Sequence, residues 1–151
     1  MGEHLLCKQG VTGSSPVRSI MSSAARAPAA PPAILVVEDE TAVRLTICRM
    51  IRGLGFDCVE AVNGREALRI IRQREQPFAL VLTDLIMPVM SGAELCERLA
   101  EERPDLSILG MSAYPRPTLT THHAIPPTLH FIQKPFLPGA LAQAIRGAIS
   151  G

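Results

Sequence analysis

At 151 residues, 47% of them hydrophobic and 3% aromatic, the chain has enough apolar mass for one domain with a real core and too little length for two comfortable ones. Its formal charge of +1 divides into three basic side chains against one acidic over residues 1–33 and 12 against 13 over the rest, which excludes the basic field that a nucleic-acid partner requires. No run reaches the ~18 to 20 apolar residues of a membrane span and the N-terminus lacks the apolar core of a signal peptide, so the expected setting is the cytoplasm.

Residues 1–33 combine Gly10, Gly13, Ser14, Ser15 and Pro16 with an Ala/Pro tract from Ala24 to Ala33 and show neither apolar period. Such a composition buries too little surface to offset its ordering entropy, so we expect a disordered extension. It is neither amphipathic nor strongly charged, which argues against a membrane or partner tether. Translation from Met21 is an alternative start. Cys7, Cys48, Cys58 and Cys96 are scattered and form no CxxC pair; they read as small buried hydrophobes in a reducing compartment, not as a zinc site or a disulfide framework.

From Ile34 the pattern changes to short apolar runs alternating with amphipathic segments. Ile34-Leu35-Val36-Val37 is apolar on both faces, as expected of a central parallel strand, and ends in Glu38-Asp39-Glu40. A helix follows through Val43, Ile47, Ile51 and Leu54, with Arg44, Arg49 and Arg52 off that stripe and Gly53 and Gly55 closing it. Phe56 to Ala61 predicts a second strand, and Asn63-Gly64 a turn into a helix that buries Ala67, Leu68 and Ile71. The third strand, Phe78 to Thr83, stops on Asp84, with Met87-Pro88 turning the chain shortly after, so the acid is expected to be displayed at the surface. Ser91 and Glu94 have capping-box spacing at the start of a helix through Leu95 and Leu99. Leu106 to Met111 is a fourth strand ending at Ser112, Leu129 to Ile132 a fifth ending at Gln133-Lys134-Pro135, and residues 137–149 a last helix through Leu141, Ile145 and Ile149. Strand and helix alternating in this way specify an α/β doubly wound sheet of five parallel strands.

In such sheets ligands bind along the carboxyl ends of the strands. Four of the predicted strands end in chemistry: Glu38 and Asp39, then Asp84, Ser112 and Lys134. Taken singly these are ordinary helix-start acids, a strand-end acid, a loop serine and an exposed lysine. On one edge together, the three carboxylates repel unless a cation joins them, and a hard divalent ion with oxygen ligands, Mg²⁺ first, answers that need. A carboxylate beside Mg²⁺, a lysine and a hydroxyl can accept a phosphoryl group as an acyl phosphate, with Asp84 attacking in line while Lys134 and Ser112 hold the equatorial oxygens.

Val36-Val37-Glu38-Asp39-Glu40, Thr83-Asp84-Leu85-Ile86-Met87-Pro88 with Ser91-Gly92, Met111-Ser112-Ala113 and Lys134-Pro135-Phe136 resemble the motifs of the receiver domain of two-component response regulators. The resemblance covers residues 34–149 and implies a flavodoxin-like sheet of strand order 2-1-3-4-5. It implies that Asp84 is the phosphoacceptor in a two-component phosphorelay, that Glu38, Asp39, Asp84 and the carbonyl of Ile86 bind Mg²⁺, and that Ser112 and Lys134 contact the phosphate. It further implies that Phe131 is the aromatic switch, filling a space that Ser112 leaves as it moves toward the phosphate. The chain would catalyse only its own phosphorylation and dephosphorylation, taking phosphate from a histidine kinase or a histidine phosphotransfer protein.

The family pattern is broken in one place. Pro115, Pro117, Pro126 and Pro127 leave at most Thr118 to Ile125 for the fourth helix, which is expected to be short or irregular and to disfavour the usual dimer through that surface. This looks more like receivers of hybrid histidine kinases than like DNA-binding regulators. His122, His123 and His130 lack supporting carboxylates and are expected on the surface. With one helix after Lys134, a stand-alone receiver is expected, its output contact with an unknown downstream protein. The alternatives are a phosphorylation-independent adaptor with the same fold and a Mg²⁺-dependent phosphohydrolase; the latter commonly places a second acid two residues after its nucleophile, where this chain has Ile86.

By the same resemblance Ile86 and Tyr114 tune loss of phosphate, and an apolar and aromatic pair should restrict the attacking water. Ile86→Asn is therefore expected to speed decay of the acyl phosphate, followed by intact mass against time; an unchanged decay rate refutes the tuning role.

Overall fold

The computed structural model describes residues 29–123 and 125–151, the side chain of His123 apart. The extension expected over residues 1–33 and the start at Met21 thus lie almost wholly outside the described residues, of which 29–32 are exposed coil. Strands β1 (Ala33–Val37), β2 (Asp57–Ala61), β3 (Leu80–Asp84), β4 (Ile108–Ser112) and β5 (His130–Gln133) alternate with helices α1 (Thr41–Gly53), α2 (Gly64–Gln73), α3 (Gly92–Glu102), α4 (Arg116–His123) and α5 (Pro138–Ser150). All pairings are parallel, in the order β2-β1-β3-β4-β5, so the chain winds outward in both directions from β1 and β3.

The alternation of strand side chains divides the core in two. Leu35, Val37 and Val81 point to the face covered by α2 and α3, where they meet Ala67, Leu68, Ile71, Leu95 and Leu99. Ile34, Val36, Leu80 and Leu82 point the other way, onto Ile47 and Ile51 of α1 and Leu141 and Ile145 of α5. Both faces being covered, β1 and β3 are buried along their whole length, which is what their unbroken apolar sequences require. A third, smaller cluster lies under α4, where Leu119 meets Leu85, Cys96 and Ile125.

The helix starts follow the expected chemistry. Asn63 Oδ1 accepts from Glu66 N at 2.9 Å, and Ser91 Oγ accepts from Glu94 N at 3.1 Å. The second arm of a capping box is not formed at Ser91, because the Glu94 carboxylate pairs instead with Arg98 at 3.0 Å.

Four expectations are corrected. α4 begins at Arg116, ahead of the expected Thr118, since Pro117 falls in the first turn where its missing N–H costs nothing. It is nevertheless short, at 8 residues. Arg44 is buried, although periodicity placed it off the apolar stripe. Ile149 is 42% exposed, and Ala148 takes the inward position on α5. Asp84 is the last residue of β3 and only 7% exposed, because neighbouring loops and a lysine close over it.

Gly92 opens α3 directly against the end of β3, where an added Cβ would lie 1.9 Å from the Asp84 backbone oxygen and 2.8 Å from Leu85 Cα. Backbone cannot yield as a side-chain tip can, so only glycine permits this approach. Gly92→Ala is expected to destabilise the fold by about 2–4 kcal/mol in urea unfolding, against less than about 1 kcal/mol for Gly147→Ala in α5, where an added Cβ meets nothing within 4 Å.

Candidate functional site

The carboxyl ends of β1 and β3 are neighbours in the sheet, and the residues that continue from them carry the acids. Glu38 follows β1 and is 1% exposed; its own N–H donates to Ala61 O at 3.1 Å, which ties the loop to the end of β2. Asp39 beside it is exposed. One carboxylate oxygen from each of Glu38, Asp39 and Asp84 lies within 4.8 Å of the others. Lys134, following β5, reaches across the sheet edge, and its Nζ donates to Glu38 Oε2 at 2.8 Å and to Asp84 Oδ2 at 3.0 Å. The remaining carboxylate oxygens are also engaged: Ile86 N donates to Asp84 Oδ1 at 3.1 Å and Glu40 N to Glu38 Oε1 at 3.2 Å.

The structure thus brings Glu38, Asp39, Asp84 and Lys134 into one site. Ser112 ends β4, one residue beyond Met111, which pairs with Asp84 in register. Its hydroxyl is buried and accepts from Tyr114 N at 3.2 Å, while its carbonyl accepts from Lys134 N at 2.8 Å, so the serine also sets where the lysine begins. Ile86 and Tyr114 stand at the rim, 36% and 55% exposed. Phe131 lies away from the acids. It is half-buried against the cluster under α4, with the Arg116 guanidinium 5.3 Å from its ring centroid. His122 and His130 are exposed and enter no site; the side chain of His123 lies outside the described residues.

Sequence reasoning missed Arg44 and Glu60. Arg44 NH1 donates to Glu38 O at 2.8 Å and its Nε to Glu60 Oε2 at 3.1 Å, so one guanidinium fastens the acidic loop to α1 and β2 at once. The available signal was its place four residues after Glu40, on the first turn of a helix that starts at the acids. Sequence reasoning also treated Cys48 and Cys58 as unrelated, yet their sulfurs lie 2.7 Å apart between α1 and β2. Lys134 also lines, with Val43, Ile47 and Met50 of α1 and with Pro135 and Phe136, an apolar groove of about 440 Å³.

Burial raises the Glu38 carboxyl above the ordinary glutamate value, and the nearby charge of Asp84 adds to the rise, against the opposing hydrogen bond from Lys134. Burial by itself would lower the Lys134 ammonium, but its hydrogen bonds to Glu38 and Asp84 outweigh that and hold it above the ordinary lysine value. The lysine is the cation that lets two buried acids coexist.

The fold and its acid-lined edge define a doubly wound α/β protein with its chemistry at the strand ends. The chain belongs to the response regulator receiver family: residues 34–146 match the family model described as "Response regulator receiver domain". The response regulator receiver protein CpdR of Brucella abortus is 33% identical over 103 residues, covering 68% of this chain and 84% of that protein. The sensor kinase CckA of the same organism is 31% identical over 113 residues, 75% of this chain but 12% of the kinase, so the chain spans a small part of that relative. Among solved structures, the receiver domain of the hybrid histidine kinase CckA is similar with a TM-score of 0.64 at 28% identity, covering 78% of this chain and 98% of that one. A sensor protein from Polaromonas sp. JS666 gives a TM-score of 0.71 at 26% identity, covering 79% and 96%. No helix among the described residues is long and apolar enough to cross a membrane.

The raised Lys134 value fixes a sign. Its stabilising contribution is fully present below the unfolded lysine value of 10.5 and is lost as pH rises through the higher folded value. Lys134→Met is therefore expected to be less stable than the unaltered chain near neutrality, with the gap narrowing at strongly alkaline pH, measured by urea unfolding across pH. A gap that stays constant would mean that the ammonium is not what holds the two acids.

Proposed function

We propose that this chain is a phosphoacceptor receiver: Asp84 takes a phosphoryl group from a phosphohistidine on a histidine kinase or phosphotransfer protein, and the phosphorylated state is read by contact with another protein. The single observation that carries the reading is the Lys134 ammonium hydrogen-bonded to both Asp84 and Glu38, with Asp39 completing three carboxylates within 4.8 Å. A purely structural ion pair needs one acid and one base; here a lysine meets two acids, and the third carboxylate beside them gives the oxygen donor set that a divalent cation would complete.

The donor set suits Mg²⁺, which takes hard oxygen ligands and shares its shell with carboxylates and phosphate. Glu38, Asp39, Asp84 and the carbonyl of Ile86 are the residues we assign to it. When bound, the ion supplies charge neutralisation for the incoming phosphoryl oxygens.

The chain's own residues do the rest. Asp84 is oriented by Ile86 N on one oxygen and Lys134 on the other, so the attacking carboxylate is held without freedom to rotate. Attack by one carboxylate oxygen forms the acyl phosphate as the phosphorus–nitrogen bond to the donor histidine breaks, and the departing imidazole keeps that electron pair. Lys134 is already charged at this point and can follow an equatorial oxygen. Ser112, buried at the end of the strand that pairs with β3, would donate its hydroxyl proton to another. The apolar groove between α1 and Pro135-Phe136 borders this site and suits the helix that carries the donor histidine.

Readout to a partner rests on Phe131 and α4. A rearrangement of Ser112 toward phosphate would alter packing along β4 and β5, where Gly110 pairs with Phe131 in register. Among the described side chains of α4 Leu119 is the one that is fully buried, against four buried residues on each of α2 and α3, and Arg116 adds hydrogen bonds to Pro127 O and Leu129 O.

The reading is tested by incubating the chain with acetyl phosphate and Mg²⁺ and measuring intact mass. An adduct of ~80 Da, absent without the metal and absent in Asp84→Asn, is expected. No adduct, or one that survives Asp84→Asn, removes the phosphoacceptor role and leaves the adaptor reading with the same fold.

A further inference from the structure

α1 and β2 are joined by two successive rungs. Arg44 and Glu60 make the first, at 3.1 Å, and Cys48 and Cys58 the second, with their sulfurs 2.7 Å apart. The spacing is what each element dictates: Cys48 follows Arg44 by four residues and so shares its face of the helix, and Cys58 precedes Glu60 by two and so shares its face of the strand. Both sulfurs lie within the same core layer, beside Ile34, Ile47 and Ile51.

We propose that Cys48 and Cys58 are an oxidisable dithiol, closing to an intramolecular disulfide in the folded chain under a hydroperoxide. The sulfurs stand less than an ångström beyond the ~2.05 Å of a disulfide bond. β2 is an edge strand, and Cys58 keeps 8% of its surface exposed there while Cys48 has none, so a small neutral oxidant reaches the pair from the Cys58 side. The Cys58 thiol donates to the Cys48 sulfur and draws the Cys48 thiol below its ordinary value, against burial, so the pair loses its first proton more readily than an isolated buried thiol. Cys96 supplies the contrast within the same domain: it has no hydrogen-bonded sulfur partner among the described residues, and burial pushes it up to about 12.

The chemistry balances. The thiolate of the pair attacks one peroxide oxygen, forming S–O as O–O breaks and releasing hydroxide, which takes the remaining thiol proton and leaves as water. The second sulfur then attacks the sulfenic sulfur, forming S–S as S–O breaks; the expelled hydroxide recovers the first proton as a second water. Two thiols are oxidised by two electrons and one peroxide is reduced to two waters.

The two cysteines fall in separate tryptic peptides, residues 45–49 and 53–65. The full reduced chain is treated with hydrogen peroxide, quenched with catalase, unfolded in N-ethylmaleimide and mapped without reductant. A linked 45–49/53–65 species that dithiothreitol dissolves is expected, with Cys96 fully maleimide-labelled. It should form at least about 10-fold faster in the folded chain than when peroxide is added after unfolding in guanidinium. Maleimide on both peptides after peroxide, separate sulfinic or sulfonic acids, a link to Cys7 or Cys96, or equal rates in the folded and unfolded chain would each overturn the assignment.

Discussion

Two carboxylates held at adjacent strand ends, both shielded from water, set the terms for the rest of this molecule. Glu38 is 1% exposed and Asp84 7% exposed, and two acids at that burial call for a cation in reach. The cation comes from 96 residues away in one case and 50 in the other. That connection dictates the topology as much as it follows from it. β1 and β3 must be adjacent to bring the acids together, and β5 must run parallel to them so that its carboxyl end delivers Lys134 to the same edge. Because every pairing in the sheet is parallel, the carboxyl ends of all three strands lie on one edge.

The backing of the site is as ordered as its face. Behind Glu38, Arg44 links the loop carbonyl to Glu60, so the acidic loop is held by α1, by the end of β2 and by the lysine at once. Behind Asp84, the start of α3 presses against the strand end through Gly92. An acid constrained from both sides would lose little freedom on reacting, which suits the phosphoacceptor role proposed for Asp84. Flexibility is instead left to the far side, where α4 is 8 residues long and rests on Leu119, Phe131 and the Arg116 guanidinium. A rigid site beside a lightly held surface is what the proposed switch, a local charge event with a distant readout, would require.

The dithiol between α1 and β2 belongs to the rigid half. It occupies the rung next to Arg44 and Glu60, so its redox state bears on the same pair of elements that fasten the acidic loop. The two rungs differ in kind. An ion pair at the edge of a sheet is exchangeable and screened, whereas a covalent link is not.

The alternating pattern of apolar runs and amphipathic helices determined the element order, the doubly wound class and the two-sided core, because strands buried on both faces must be apolar throughout and leave a signal in any chain. It also determined which residue types end the strands, and so named Glu38, Asp39, Asp84, Ser112 and Lys134 as candidates. Only the tertiary structure decided which of them touch. Asp84 is enclosed where the sequence suggested display, Arg44 turns inward to a backbone carbonyl that no periodicity encodes, and Cys48 meets Cys58 across a helix and an edge strand. α4 likewise starts at Arg116 because a proline harms only the turns after the first, a matter of register that composition does not carry. Patterns along the chain record which groups must be hidden from water; partners that lie tens of residues apart are chosen by packing, and packing exists only in three dimensions.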